Sequence, residues 1–150
     1  MRLGQALLVA LAIVACSGGS GANEPCDVPK LVALAKGRAG PNAIDCGRVG
    51  IDEDPGDAAT CVESSLQEQS GFYVIFDEQG IDSTVARSWA GTASGQVFGA
   101  LWDSDPSGGS GAPPRISEFE CLQPTLLDAR EPNELFECDA TGSVTAVCGD

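Results

Sequence analysis

Phe72-Tyr73-Val74-Ile75-Phe76 is the stretch of this 150-residue sequence that decides the fold. Five aromatic or β-branched residues in succession favour a strand. The run is apolar at every position instead of alternating with polar residues, which is typical of a strand covered on both faces. We therefore expect this strand to lie at the centre of the folded domain.

Further strands are predicted on the C-terminal side of this run. Segments with turn-forming residues separate three stretches of strand-like sequence: 84–90, 96–103 and 115–122. Together with the first strand they predict an antiparallel meander of about four strands. Residues 135–138 and 144–148, with a turn at 139–142, predict a C-terminal hairpin.

Helices are predicted on the N-terminal side. Residues 58–70 carry apolar side chains at helical spacing, with Asp57 as the N-cap and Gly71 as the stop. A shorter helix opens at Asp27 and ends at Gly37, and residues 38–57 are predicted to be mostly loop. Helix followed by strands in series favours the α+β class, with one main helix packed on the antiparallel sheet and disulfides stapling the domain.

The N-terminus has the pattern of an export signal. Met1-Arg2 supplies a positive charge, and the apolar run at residues 6–14 is too short to span a bilayer. The run ends in Ile13-Val14-Ala15-Cys16, which resembles the lipobox of bacterial lipoproteins.

This resemblance implies that the protein is located in the cell envelope. It implies that residues 1–15 are a signal peptide, that Cys16 carries diacylglycerol, and that the new amino terminus is acylated, as with palmitate. Ser17, where Asp would be the inner-membrane signal, implies the outer membrane. Residues 16–25, rich in Gly and Ser, are then a flexible tether of about 15–18 Å, and residues 26–150 form a single domain.

The seven cysteines are consistent with export. If Cys16 is lipidated, an even number remains, which predicts three disulfides. The candidates are Cys26, Cys46, Cys61, Cys121, Cys138 and Cys148. Spacing does not choose the connectivity, but Cys138–Cys148 is favoured because it flanks the predicted hairpin, and Cys46–Cys61 is a second local candidate.

Composition limits the function. The chain has 8 basic and 22 acidic residues, a net charge of -14, and loss of Arg2 with the signal peptide makes the mature chain -15. Such a charge disfavours nucleic acid and anionic lipid surfaces as partners. The sequence has no histidine, which excludes Ser-His, Cys-His and His-metal chemistry. We therefore expect no enzyme activity and no cofactor.

One acidic segment has a partial resemblance to a calcium loop. Asp52, Asp54 and Glu63 occupy the first, third and twelfth positions of an EF-hand pattern. The pattern breaks at positions five and six, where Gly56 and Asp57 stand. We interpret the segment as an acidic loop leading into Asp57 as a helix cap, and we predict no metal site.

Two features are candidates for partner contact. The first is the exposed Gly- and Pro-rich loop at residues 103–114. The second is a patch on the predicted strands, unless its residues belong to the core: Tyr73, Arg87, Trp89 and Trp102. The sequence thus favours a monomeric envelope lipoprotein that acts by binding or as structure. An envelope enzyme or calcium-dependent module using acidic residues, or an inhibitor of an exported enzyme, are the alternatives.

Overall fold

A computed structural model describes residues 25–127 and 135–149. The lipobox, Cys16 and nearly all of the predicted tether lie outside these ranges. Two helices and seven strands are present in the described residues. In chain order they are α1 (Val28–Ala39), β1 (Ile44–Val49), α2 (Gly56–Gln67), β2 (Phe72–Gln79), β3 (Thr84–Gly91), β4 (Val97–Asp103), β5 (Arg115–Leu126), β6 (Phe136–Thr141) and β7 (Thr145–Cys148).

The strands form one mixed sheet in the order β1-β2-β3-β4-β5-β6, with β7 also paired to β5. β1 runs parallel to β2, with α2 as the crossover between them, and the other pairs are antiparallel. The prediction of one main helix on a four-stranded antiparallel sheet is therefore wrong. The sequence does not predict β1, because only Cys46 and Val49 of its six residues are buried and buried residues do not alternate with exposed ones.

β2 is buried on both faces, as its uninterrupted apolar run predicts. Phe72, Val74 and Phe76 face the cluster that contains residues of α2 and β6. Tyr73 and Ile75 face the cluster that contains α1. The helices thus cover opposite faces of the sheet, and β2 is the strand common to both hydrophobic cores.

α1 begins where the sequence predicts and ends later. The Asp27 carboxylate accepts a hydrogen bond from the backbone N–H of Lys30 at 3.0 Å, which caps the helix. Gly37 does not end it, because the apolar face continues to Ala39, which is buried. Gly40, with φ of 97°, ends the helix instead.

α2 begins before the predicted cap. Pro55 occupies the N-cap position, and no side chain caps the helix there. Asp57 lies in the first turn, where its negative charge interacts favourably with the positive end of the helix dipole and stabilises the helix. The prediction of Asp57 as N-cap is wrong because the chain already turns into the helix at Pro55.

The predicted C-terminal hairpin is also wrong. β6 pairs with the second half of β5, and β7 pairs with residues 116–118 of the same strand, both antiparallel to it. The chain therefore continues in one direction along a single edge of β5. Between the two strands the backbone N–H of Gly142 donates to the carbonyl of Glu120 at 2.8 Å, which holds the chain against β5.

The predicted number of disulfides is confirmed, and one of the two favoured pairings is correct. The bonds are Cys26–Cys148, Cys46–Cys61 and Cys121–Cys138. The favoured Cys138–Cys148 pairing is wrong. Residues ten apart along one sheet edge are separated by roughly 30 Å, whereas a disulfide needs Cα atoms within about 7 Å.

Two glycines provide a matched test of this packing. A Cβ at Gly91 would collide with the ring of Phe72, which is fully buried, whereas a Cβ at Gly37 would meet nothing. We expect Gly91→Ala to lower the free energy of unfolding by about 1–3 kcal/mol. Gly37→Ala should raise it by about 0.5–1 kcal/mol through helix propensity. Urea unfolding measures both, and equal stability of the two variants would contradict this packing.

Candidate functional site

Two loops meet at one end of the sheet. Residues 80–83 connect β2 to β3, and the loop at 103–114 connects β4 to β5. Both loops lie at the same end of the sheet because these neighbouring strands are antiparallel. We call residues 80–83 and 103–114 together the two-loop pole.

Hydrogen bonds brace the two loops at their bases. The backbone N–H of Thr84 donates to the Ser104 hydroxyl at 2.8 Å, and the N–H of Ser104 donates back to the Thr84 carbonyl at 3.0 Å. The loops also approach each other further out, where a Cβ on Gly109 would lie 3.6 Å from the Cβ of Asp82. The second loop is therefore positioned by the first.

A single carboxylate organises the longer loop. The Asp105 carboxylate accepts hydrogen bonds from the Ser107 hydroxyl at 2.5 Å and from four backbone N–H groups. Those belong to Ser107 at 3.2 Å, Gly109 at 3.1 Å, Gly111 at 2.9 Å and Ala112 at 3.1 Å. The Ser107 hydroxyl and the amides of Gly111, Ser107 and Ala112 lower the pKa of Asp105 to about 2. A Gly- and Ser-rich sequence that would otherwise resist ordering is thus wrapped around one ionised group.

Ile81 stands at the tip of the shorter loop and is 97% exposed. The turn that carries it is closed by a hydrogen bond from the Gly80 N–H to the Ser83 carbonyl at 3.1 Å. Sequence reasoning missed this residue. The available signal was a β-branched apolar side chain inside a four-residue turn, where Gly, Asn, Asp, Ser and Pro are usual.

The two-loop pole is acidic. Its two loops contain the carboxylates of Asp82, Asp103 and Asp105 and no Lys or Arg. Below them, the carboxylates of the β2 end are paired: Glu78 with Arg87 at 2.9 Å and Asp77 with Arg48 at 2.7 Å. The exposed Arg115, which pairs in register with Asp103 at the start of β5, offsets one of the loop carboxylates. The surroundings of Ile81 therefore keep a net negative charge.

The described chain begins beside this pole. The indole Nε1 of Trp102, at the end of β4, donates to the backbone carbonyl of Cys26 at 3.0 Å. Cys26 is also joined to Cys148, which pairs with Ile116 near the start of β5. Both ends of the domain are thus fixed at the base of the 103–114 loop.

The structure does not bring the four candidate patch residues together. Trp89 and Arg87 lie on the α2 face of the sheet, and Tyr73 and Trp102 lie on the α1 face. Trp89 is 2% exposed, against Phe119 and Phe136. Arg87 is paired with Glu78, and Trp102 is half-buried.

Tyr73 is buried as well. Its hydroxyl donates to the Asp45 carboxylate at 2.7 Å, and this bond raises the pKa of Tyr73. Tyr73 therefore links β2 to β1 through its hydroxyl group.

The three calcium candidates are also kept apart. Asp54 accepts a hydrogen bond from the Gly56 N–H at 3.0 Å, and Glu63 accepts one from the Gln67 side chain at 3.2 Å on the surface of α2. Within residues 25–127 and 135–149, no group of three or more metal-binding side chains is present. Asp54 and Glu63 therefore serve the local backbone and helix instead of a common metal centre.

Two open pockets are lined by described residues outside the two loops. One of about 240 Å³ is beside the start of α1 and is lined by Pro25, Asp27, Pro29, Lys30 and Ala33. The other, of about 290 Å³, lies at the opposite end of the sheet from the two-loop pole. It is lined by uncharged residues of the α2 end and the β3–β4 turn: Leu66, Gln69, Ser70, Thr92, Ala93, Ser94 and Gly95. Neither pocket gathers reactive side chains.

Protein-family models, curated proteins and solved structures all fail to match this chain. Across the described residues, no helix is both long and apolar enough to cross a membrane. What the protein does therefore has to follow from its own sequence and geometry.

The ordering of the 103–114 loop by Asp105 has a measurable pH dependence. Because the folded-state pKa is lowered to about 2, the stabilisation is complete above the usual Asp pKa and is lost as pH falls through about 2. A carboxyl-carbon NMR titration should show one aspartate with its midpoint near 2, absent from Asp105→Asn. Titration of Asp105 near its ordinary value of 3.8 would contradict the network.

Proposed function

We propose that the protein is an exported, lipid-anchored binding protein of the bacterial cell envelope, and that it contacts a protein partner through the two-loop pole. The proposal of a lipid on Cys16, and of the outer membrane as its place, rests on Ile13-Val14-Ala15-Cys16 and on Ser17. The three disulfides support export, since such bonds persist in oxidising compartments.

The ordering of the 103–114 loop around Asp105 is the observation that carries the binding role. A flexible Gly-rich loop loses conformational entropy on binding, and this loss weakens the complex. Here five hydrogen bonds to one carboxylate fix the loop before any partner arrives. A preorganised loop on a disulfide-braced domain suits recognition of a partner surface.

Ile81 supplies the apolar contact that such recognition needs. A few side chains that become fully buried at the centre of an interface contribute most of its binding energy. With 97% of its surface exposed, Ile81 has almost its full area available for burial. Burying it would contribute about 1.5–3 kcal/mol.

The same feature favours one specific form of the proposal, an inhibitor of an exported enzyme. A braced turn that presents a single apolar side chain at its tip has the shape of a substrate segment entering a specificity pocket. The hydrogen bonds between Thr84 and Ser104 hold this turn from behind. Loss of activity of an envelope hydrolase on addition of the wild-type domain, but not of Ile81→Ser, would identify this form.

Ile81→Ser tests the binding role, with Val144→Ser as the matched control. Val144 is 64% exposed and lies between β6 and β7, on the sheet edge. Tagged full-length protein is cross-linked in intact cells and isolated with its partners. We expect Ile81→Ser to reduce recovery of a partner by about tenfold or more, as loss of about 1.4 kcal/mol or more implies, and Val144→Ser to leave recovery unchanged.

Two results would contradict the proposal. One is equal recovery of every cross-linked protein with wild type and Ile81→Ser. The other is a partner lost with Val144→Ser and retained with Ile81→Ser, which would place the binding surface on the sheet edge.

A further inference from the structure

We propose that the partner of the two-loop pole is a protein embedded in the same membrane that holds the Cys16 lipid. The partner would present an apolar pocket for Ile81, bordered by basic side chains. This inference rests on the proposed function and adds to it the place and the chemistry of the partner.

The position of the chain's exit from the domain supports the place. Cys26 is held at the base of the 103–114 loop by its disulfide to Cys148 and by the Trp102 indole. The segment from Cys16 to Cys26 therefore enters the domain at the two-loop pole. The opposite end of the sheet, with the β3–β4 turn, lies a strand length away, roughly 25 Å for eight residues.

Chain length limits how far this pole can rise above the membrane. The ten residues from Cys16 to Cys26 span at most about 35 Å even when fully extended. The two-loop pole therefore stays within reach of the portion of a membrane protein that projects from the bilayer. The opposite end of the domain lies about 25 Å further from the point of attachment and suits a soluble partner better.

Charge argues against the lipid surface itself as the occupant. Three carboxylates belong to the two loops, and one cationic side chain, that of the exposed Arg115, stands beside them opposite Asp103. The net charge is still negative, and anionic headgroups would repel it. One exposed isoleucine contributes about 1.5–3 kcal/mol, too little to hold a domain on a bilayer against that repulsion. A protein pocket with Lys or Arg at its rim would match both the apolar tip and the acidic surroundings.

Site-specific photo-crosslinking of the full-length protein in its own cells tests this inference. p-Benzoylphenylalanine, an apolar crosslinker, is placed at Ile81, at Ser94 in the turn at the opposite end of the sheet, and at Val144 on the edge. We expect position 81 to crosslink to an integral membrane protein at least tenfold more strongly than positions 94 and 144. The Cys16→Ser variant, which lacks the attachment point, should lose most of this product.

Each other outcome has a defined meaning. A soluble protein captured at position 81 would overturn the membrane partner and leave the binding role of the pole intact. Lipid captured at position 81 would overturn the inference in favour of the bilayer surface. Capture at position 94 alone, or at no position, would overturn the binding role of the pole as well. A product undiminished in Cys16→Ser would show that the lipid does not bring the pole to its partner and would overturn the inference.

Discussion

Burial of β2 on both faces is the constraint on which the rest of the structure depends. The first five residues of β2 are apolar and point to both faces of the sheet, so each face has to be covered. α1 covers one face, and α2 with β6 covers the other. On each face of the sheet, disulfides join the covering elements to neighbouring strands. Cys46–Cys61 holds α2 to β1, Cys121–Cys138 holds β6 to β5, and Cys26–Cys148 holds the start of α1 to β7. Three disulfides thus join the elements around both hydrophobic clusters covalently.

The same arrangement sets the position of the two-loop pole. Because β2 to β5 are antiparallel neighbours, their connections alternate between the two ends of the sheet. One end receives the Ile81 turn, the Asp105 loop and the Cys26–Cys148 bond. The disulfide that secures the α1 cover therefore also fixes the chain's point of entry beside the two loops. Attachment and recognition are brought to one end by the topology of the sheet.

The sequence predicts the elements that local chemistry determines and misses those that depend on distant partners. β2 was predicted because its apolar run is uninterrupted, and the Asp27 cap because its signal is local. The sequence does not predict β1, because only two side chains of this parallel edge strand, Cys46 and Val49, are buried and they do not alternate with exposed ones. The predicted hairpin with its turn at 139–142 is wrong, because the same turn-like sequence can connect two successive strands. Here it connects β6 to β7, which both pair with β5. At the site, the 103–114 loop was predicted, whereas its ordering by Asp105 depends on backbone geometry that composition does not reveal.

Recognition at the two-loop pole depends on a Gly-rich loop that is held rigid by one carboxylate. Amide hydrogen exchange measured by NMR at neutral pH tests this most directly. We expect the N–H groups of Gly109, Gly111 and Ala112 to exchange much more slowly than those of a free peptide, because each of them donates to the Asp105 carboxylate. Asp105→Asn should return them towards the free rate while the β2 amides stay protected. Exchange of these three amides at the free-peptide rate in the wild-type protein would contradict the ordering of the loop by Asp105.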